Sequence, residues 1–437
     1  MKTNVNKPIK VNIITLGCSK NLVDSEVLLK QLDVNNIVVS HDVESGDFDF
    51  VIVNTCGFIN DAKQESIDTI LQLVQDKANG KIKKIIVMGC LSSRYSAMLK
   101  NEIPEVDAYF GVNSMKEVLH YLKLDYKKEL LGERCLTTPS HYAYLKIAEG
   151  CDRICSFCAI PGIRGSFVSK KITDVVAEAK ILVSNGVKEL ILIAQDLTYY
   201  GLDIYKKRKL AELLEQLSSV EKLSWIRLQY AYPAAFPMDV IHVIKERKNI
   251  CKYLDIPFQH ISDKILKSMN RVIDKKGTLQ LIEKIKKEIP DIALRTSLIV
   301  GYPGETKKDF KDLMDFVSEV EFERLGVFTY SHEESTKAYQ LKDNISASEK
   351  QERADILMQL QENISYKKNE ALVGKTINVL VDRKENDFYI GRTEYDSPEV
   401  DNEVIIQSPS KSKLIGQFKK VKIIQAEPFD LIGKFTS

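Results

Sequence analysis

The chain has 437 residues, 44% of them hydrophobic and 28% charged, the balance of a globular protein with about two to three domains. Its 63 basic and 61 acidic residues leave a net charge of +2, so no overall field selects nucleic acid. The longest apolar runs fall far short of the roughly 20 residues that span a bilayer. The opening MKTNVNKPIK holds no apolar signal core, which predicts a cytoplasmic chain without membrane association. Eight scattered cysteines in such a chain point to metal ligation or catalysis rather than to disulfides.

Over residues 11–120, VNIITLG, FVIVNT and KKIIVMG read as near-continuous apolar strands, the kind a parallel sheet buries on both faces. Amphipathic stretches at Asn21–Leu32 and Asp61–Val74 separate them, so residues 1–125 are expected to form an open parallel α/β sheet. An aperiodic linker follows at 126–140. Residues 141–345 repeat the strand–helix alternation, with strands at YAYLKIA, ELILIA, WIRLQY, KYLDIPF, ALRTSLIV and LGVFTY. Six such units are fewer than the eight of a complete barrel, which predicts an open, partial (β/α)6 barrel. Residues 346–371 read as one long connecting helix. Residues 372–437 change to short strands with glycine turns, a small all-β barrel.

Directly after the first strand of the second series lies EGCDRICSFCAIPGIRG, with Cys151, Cys155 and Cys158 within eight residues. Soft thiolates on one loop select zinc or an iron–sulfur cluster over hard cations. No fourth Cys or His lies within the loop's reach. A zinc site would need a distant ligand, whereas a cluster would keep one iron open for catalysis. Phe157 precedes the last cysteine, and Gly301, Gly304 and Glu305 in GYPGE end a later strand in a turn suited to close approach of a ligand. The C-x3-C-x-aromatic-C loop and the six-unit barrel resemble the radical S-adenosylmethionine superfamily. That resemblance implies a [4Fe–4S] cluster whose open iron chelates S-adenosylmethionine, which one electron cleaves to a 5′-deoxyadenosyl radical.

Cys18, Cys56 and Cys90 each close one of the three N-terminal strands, at the sheet edge where open α/β folds gather ligands. Each has a neighbouring glycine. Three buried small hydrophobes are the plain reading; a second cluster is the sharper one. With TLGCSKNLVDSE (15–26), NTCGFI (54–59), GCLSSRY (89–95) and GRTEYDSPEVD (391–401), the whole chain resembles the methylthiotransferase family and its ribosomal-protein branch. The tRNA branch typically carries Gln-Met-Asn where Ser19, Lys20 and Asn21 stand. The resemblance implies two [4Fe–4S] clusters, S-adenosylmethionine, a TRAM-like C-terminal barrel and an electron donor such as flavodoxin or ferredoxin. It implies methylthiolation of the β-carbon of an aspartate in small-subunit ribosomal protein twelve, free or in the small subunit, with nucleic acid not the substrate. The alternatives are a tRNA isopentenyladenosine methylthiotransferase and a non-catalytic cluster carrier or redox sensor.

Gln195 and Asp196 end the second barrel strand and are candidate contacts to the cofactor, although Asp196 equally suits a helix N-cap. Arg295 lies within the fifth strand, and if it points inward it needs an anionic partner, the cofactor carboxylate or the substrate aspartate. Gln259 and His260 end the fourth strand, where a lone histidine is more often structural. Tyr230 and Tyr232 share that ambiguity, and Arg164 and Arg271 could reach anionic groups or equally face solvent. Cys135 and Cys251 belong to neither triplet. Over residues 372–437 ten basic and ten acidic residues cancel, while GRTEYDSPEVDNE holds five acids against one arginine. That segment is expected to repel RNA and attract a basic protein.

Overall fold

The structure is a computed structural model that describes residues 8–407 and 413–436. The first part runs β1 (Lys10–Thr15), α1 (Ser19–Asp33), β2 (Val38–His41), β3 (Phe48–Thr55), α2 (Asn60–Ala78), β4 (Ile82–Gly89), α3 (Cys90–Glu102), β5 (Ala108–Tyr109) and α4 (Met115–Tyr121). Its strands form one parallel sheet in the order β2-β1-β3-β4-β5. The three apolar runs are the sheet's centre. Alternate residues serve opposite faces: Ile52 and Ile86 pack with α1 and α4, while Val51, Val53, Ile85 and Val87 pack with α2 and α3. The edge strands β2 and β5 are short and at most half-buried, so they lack the continuous apolar run that marks the others.

The second part contains β6 (Tyr142–Lys146), β7 (Ala148–Glu149), α5 (Ile160–Arg164), β8 (Val168–Ser169), α6 (Ile172–Ser184) and β9 (Glu189–Ile193). It continues with α7 (Leu202–Tyr205), α8 (Leu210–Ser218), β10 (Trp225–Leu228), α9 (Met238–Glu246), β11 (Ile250–Asp255) and α10 (Asp263–Ser268). Then come α11 (Lys275–Glu288), β12 (Ala293–Val300), α12 (Lys307–Val320) and β13 (Arg324–Thr329). Six parallel strands stand in chain order, β6-β9-β10-β11-β12-β13, with free edges at β6 and β13. This is the expected open barrel. A two-stranded ribbon, β7 with β8, frames the cysteine loop.

The connecting helix α13 (Ala347–Glu370) is capped by Ser346, whose Oγ accepts the Glu349 N–H at 3.2 Å. It sends Ala354, Leu357 and Ile364 into the core of the partial barrel. β14 (Thr376–Glu385), β15 (Phe388–Arg392), β16 (Val404–Gln407), β17 (Phe418–Ala426) and β18 (Leu431–Phe435) close into a small barrel in the order β14-β15-β16-β18-β17. It docks on the amino ends of the larger barrel's strands, where Leu380 joins Trp225, Cys251, Tyr253 and Ala293 and the Trp225 and Phe418 rings lie 4.8 Å apart.

The acidic segment between β15 and β16 overturns one expectation. Its carboxylates face the partial barrel instead of a partner. Asp396 pairs with Arg324 at 2.8 Å, Asp401 with Arg295 at 3.1 Å, and Glu399 accepts from the hydroxyls of Tyr142 and Tyr144 at 3.3 Å each. Behind them, Glu189 holds both Arg227 at 2.7 Å and Arg392 at 2.8 Å, and Asp382 holds Arg392 and His141. Local charge counting overstated the surface charge because Asp396 and Asp401 are buried against arginines, whereas Glu399 stays exposed. Lys420, Lys422 and Lys434 stay exposed on the small barrel.

Candidate active site

The order β1-β3-β4 brings Cys18, Cys56 and Cys90 to one end of the sheet, each at or just past its strand's carboxyl end. Cys18 is the N-cap of α1 and Cys90 the first residue of α3, so two of the thiols sit where helix dipoles favour a thiolate. The adjacent glycines serve close approach of the three loops. A Cβ on Gly17 would lie 2.6 Å from the Cys56 Cβ, and one on Gly57 would lie 2.6 Å from the backbone N of Leu91. Asn21 laces the strand ends together, donating from Nδ2 to the carbonyls of Leu16 at 2.8 Å and Thr55 at 3.1 Å. Burial pushes the Cys56 thiol up and the Cys90 thiol up to about 11.

The second triplet occupies the loop between β7 and α5, at the carboxyl end of the barrel strands. Ser156 pins this loop, donating its N–H to the Met269 carbonyl at 2.9 Å and its hydroxyl to the Ser268 carbonyl at 2.8 Å. Phe157 is a packing residue against Ile265, Met269 and Tyr302. Burial pushes the thiols of Cys151 and Cys158 up to about 11 and about 12. Arg271 Nη1 lies 3.6 Å from the Cys155 Sγ, and Tyr232 is sandwiched between the guanidinium groups of Arg153 at 4.0 Å and Arg271 at 4.2 Å. Among the described residues, no group of three or more His, Cys, Asp or Glu side chains is arranged to hold a single metal ion.

The N-terminal sheet and the cysteine loop of the barrel are joined at Cys90. Cys90 packs in one apolar cluster with Ala159, which directly follows Cys158, and with Ile163 of α5. Polar contacts reinforce the junction. Arg164 is buried, pairs with Glu149 at 2.9 Å and Asp24 at 3.5 Å, and also donates to Asn21 Oδ1. Burial would raise Glu149, yet Lys146 and Arg164 hold it down to about 2. Lys20 stacks over the Tyr230 ring with Nζ 3.3 Å from the centroid, and burial pushes its ammonium down to about 8. Farther along, Glu333 gathers Lys63 and Arg94, both at 2.9 Å, tying α2 and α3 to the loop after β13. Asn21, Asp24, Glu149 and Arg153 escaped the sequence reading as site residues. Their one signal is position, within a few residues of a cysteine of either triplet.

Other candidate contacts carry structural bonds. Asp196 is an N-cap, accepting the Thr198 N–H at 2.8 Å, and its second oxygen takes Arg153 at 2.8 Å. Gln195 donates from Nε2 to Glu149 at 2.7 Å, but its Oε1 is buried with no partner. Arg295 does point inward, where it pairs with Asp255 at 3.2 Å and Asp401 at 3.1 Å. Glu305 is likewise spent, accepting the Gly301 N–H at 2.7 Å and Arg353 of α13 at 2.7 Å. A Cβ on Gly301 would meet the Lys350 side chain at 2.2 Å, so that glycine makes room for α13; Gly304 faces open space. Cys135 packs beside the N-terminal sheet and Cys251 under the small barrel.

Residues 145–317 match the family model described as the Radical SAM superfamily, residues 10–111 that of Uncharacterized protein family UPF0004, and residues 373–435 that of the TRAM domain. In fold the chain is similar to TsrM, a radical S-adenosylmethionine methyltransferase from Kitasatospora setae, with a TM-score of 0.56 at 12% identity over 73% of this chain and 72% of that one. It is also similar to OxsB, a cobalamin-dependent S-adenosylmethionine radical enzyme, with a TM-score of 0.52 at 12% identity over 82% of this chain and 56% of that one. The open barrel with three cysteines on the loop at its mouth therefore defines a radical S-adenosylmethionine enzyme. Over 434 residues the chain is 57% identical to the ribosomal protein uS12 methylthiotransferase RimO of Cytophaga hutchinsonii, covering 99% of each. It is 54% identical to the protein of that name from Christiangramia forsetii, over 99% of this chain and 96% of the other, and 52% identical to that of Bacteroides thetaiotaomicron, over 97% and 98%. The chain belongs to the ribosomal protein uS12 methylthiotransferase family.

Proposed function

We propose that this chain adds a methylthio group to the β-carbon of an aspartate of ribosomal protein uS12, giving 3-methylthioaspartate. Cys151, Cys155 and Cys158 hold one [4Fe–4S] cluster, and Cys18, Cys56 and Cys90 hold a second. The observation that supports this reading is the shared packing of Cys90 with Ala159, the residue after Cys158, and with Ile163. When bound, the clusters and S-adenosylmethionine supply one-electron cleavage and a sulfur to transfer, chemistry suited to a C–H bond too weakly acidic for a general base.

The residues fit such groups. All six ligands are thiols, the soft donors that clusters select. Because burial pushes at least Cys56, Cys90, Cys151 and Cys158 upward, loading must expel their protons, with Arg164 and Arg271 beside the resulting negative charge. The orphaned Gln195 Oε1 suits the amino end of S-adenosylmethionine. The buried, unpartnered Arg153 Nη2 and Arg271 Nε suit an anionic group beside Cys155. Asp196 and Glu149 act by positioning Arg153 and Gln195. Lys146 and Arg164 keep Glu149 ionised and so keep Gln195 oriented.

The reaction belongs in the cytoplasm, with a flavodoxin or ferredoxin as reductant. The experiment is mass spectrometry of uS12 after incubation with anaerobically reconstituted chain, reductant and S-adenosylmethionine. One methylthio group on one aspartate is expected, from protein carrying about eight irons per chain. Replacing Cys18, Cys56 and Cys90 by alanine should halve the iron. Modification of tRNA instead, or about four irons in the unaltered chain, overturns the reading.

A further inference from the structure

We propose that Lys20 is the anchor for the carboxylate of the acidic side chain that this enzyme modifies. The inference rests on the uS12 aspartate being the substrate and names the residue that recognises it.

Lys20 is only 9% exposed, yet among the described residues its ammonium has no oxygen acceptor and no ion pair; its one contact of note is the face of Tyr230. An ammonium on a largely buried side chain, with no anionic partner among the described residues, is left free to pair with a ligand that supplies one. The carboxylates nearby do not serve. Glu149 is taken by Lys146 at 2.7 Å, Arg164 at 2.9 Å and Gln195 at 2.7 Å. Asp255 is taken by Arg295 at 3.2 Å and by the Tyr230 N–H at 3.3 Å.

The ammonium bridges the N-terminal part and the mouth of the barrel. Lys20 follows Cys18 by two residues on α1, while Tyr230 and Asp255 close the strands β10 and β11 at the barrel mouth. Tyr230 has a φ of 68°, a left-handed conformation that a tyrosine keeps only where its surroundings impose it. Its carbonyl accepts the Leu197 N–H at 3.0 Å and its N–H goes to Asp255, which together hold the ring under the ammonium. A site that offers a charge-assisted bond to a carboxylate rejects the matching amide, because the amide leaves the buried cation unpaired.

The test uses the full chain with reconstituted clusters and purified uS12, either unaltered or with its target aspartate replaced by asparagine. Dissociation constants are measured for the wild type, Lys20→Met and Lys20→Arg. The wild type should prefer the aspartate form by about 10- to 100-fold. K20M should lose that preference and K20R keep most of it, with iron content and visible spectrum unchanged in both. A preference that survives in K20M overturns the assignment of Lys20 alone. Loss of iron or of one cluster's spectrum in K20M also overturns it, by placing Lys20 in cluster binding. If the wild type binds neither form of uS12, the substrate reading falls, and the anchor with it.

Discussion

His260 has no solvent contact, and its Nδ1 accepts the backbone N–H groups of Ile261 at 2.9 Å and Ser262 at 3.0 Å. The proton of the neutral ring therefore sits on Nε2, 3.8 Å from a Glu305 oxygen. Burial lowers this histidine to about 4. In the unfolded chain it titrates near 6.5, so between those values the unfolded state binds the additional proton. Its contribution to stability is complete above pH 6.5, is lost as the pH falls from 6.5 toward 4, and amounts to roughly 3 kcal/mol. Urea midpoints measured across that window should fall more steeply for the wild type than for His260→Asn; parallel slopes would refute the assignment.

α13 has polar residues on every face and a weak apolar stripe, yet it organises the back of the partial barrel. Arg353 reaches Glu305 in the turn after β12, Gln361 donates to the Phe322 carbonyl at 3.0 Å, and Asn369 donates to the Glu427 carbonyl at 2.9 Å in the small barrel. Burial raises Glu305 despite Arg353, so this carboxylate depends on its cation. Arg353→Met should cost about 3–5 kcal/mol by leaving a buried charge uncompensated, and adding Glu305→Gln should recover most of it. Chemical denaturation of the single and double variants checks this. An additive double variant would mean that the two side chains are not coupled.

Across the whole molecule, the segment 393–401 joins the two barrels by filling the amino-terminal side of the larger one with carboxylates matched to Arg295, Arg324 and tyrosine hydroxyls. Asp401 receives the Tyr253 hydroxyl at 2.8 Å as well as Arg295. Asp401→Asn should therefore lower stability by roughly 2–4 kcal/mol. It should leave the salt dependence of KM for uS12 unchanged, since a charge paired inside the protein is screened little by the medium. A changed salt dependence would return the segment to the role of a partner-facing surface.

Periodicity was enough to read the three central strands of the N-terminal sheet, the open barrel, the small barrel and the long helix, while the short edge strands β2 and β5 and the ribbon β7–β8 carry too few apolar residues to announce themselves. Strong apolar runs leave little choice of partner, and a cysteine at the carboxyl end of each of three parallel strands has one sheet edge to share. What long-range packing alone decided was the fate of the charges. Arg295 found Asp401 more than a hundred positions away, Glu305 found Arg353, and the acidic run turned inward, because a buried charge takes whichever counter-ion the fold delivers and sequence distance does not limit that choice. The same packing set Lys20 over the Tyr230 ring, a pairing across more than two hundred positions that no local pattern announces.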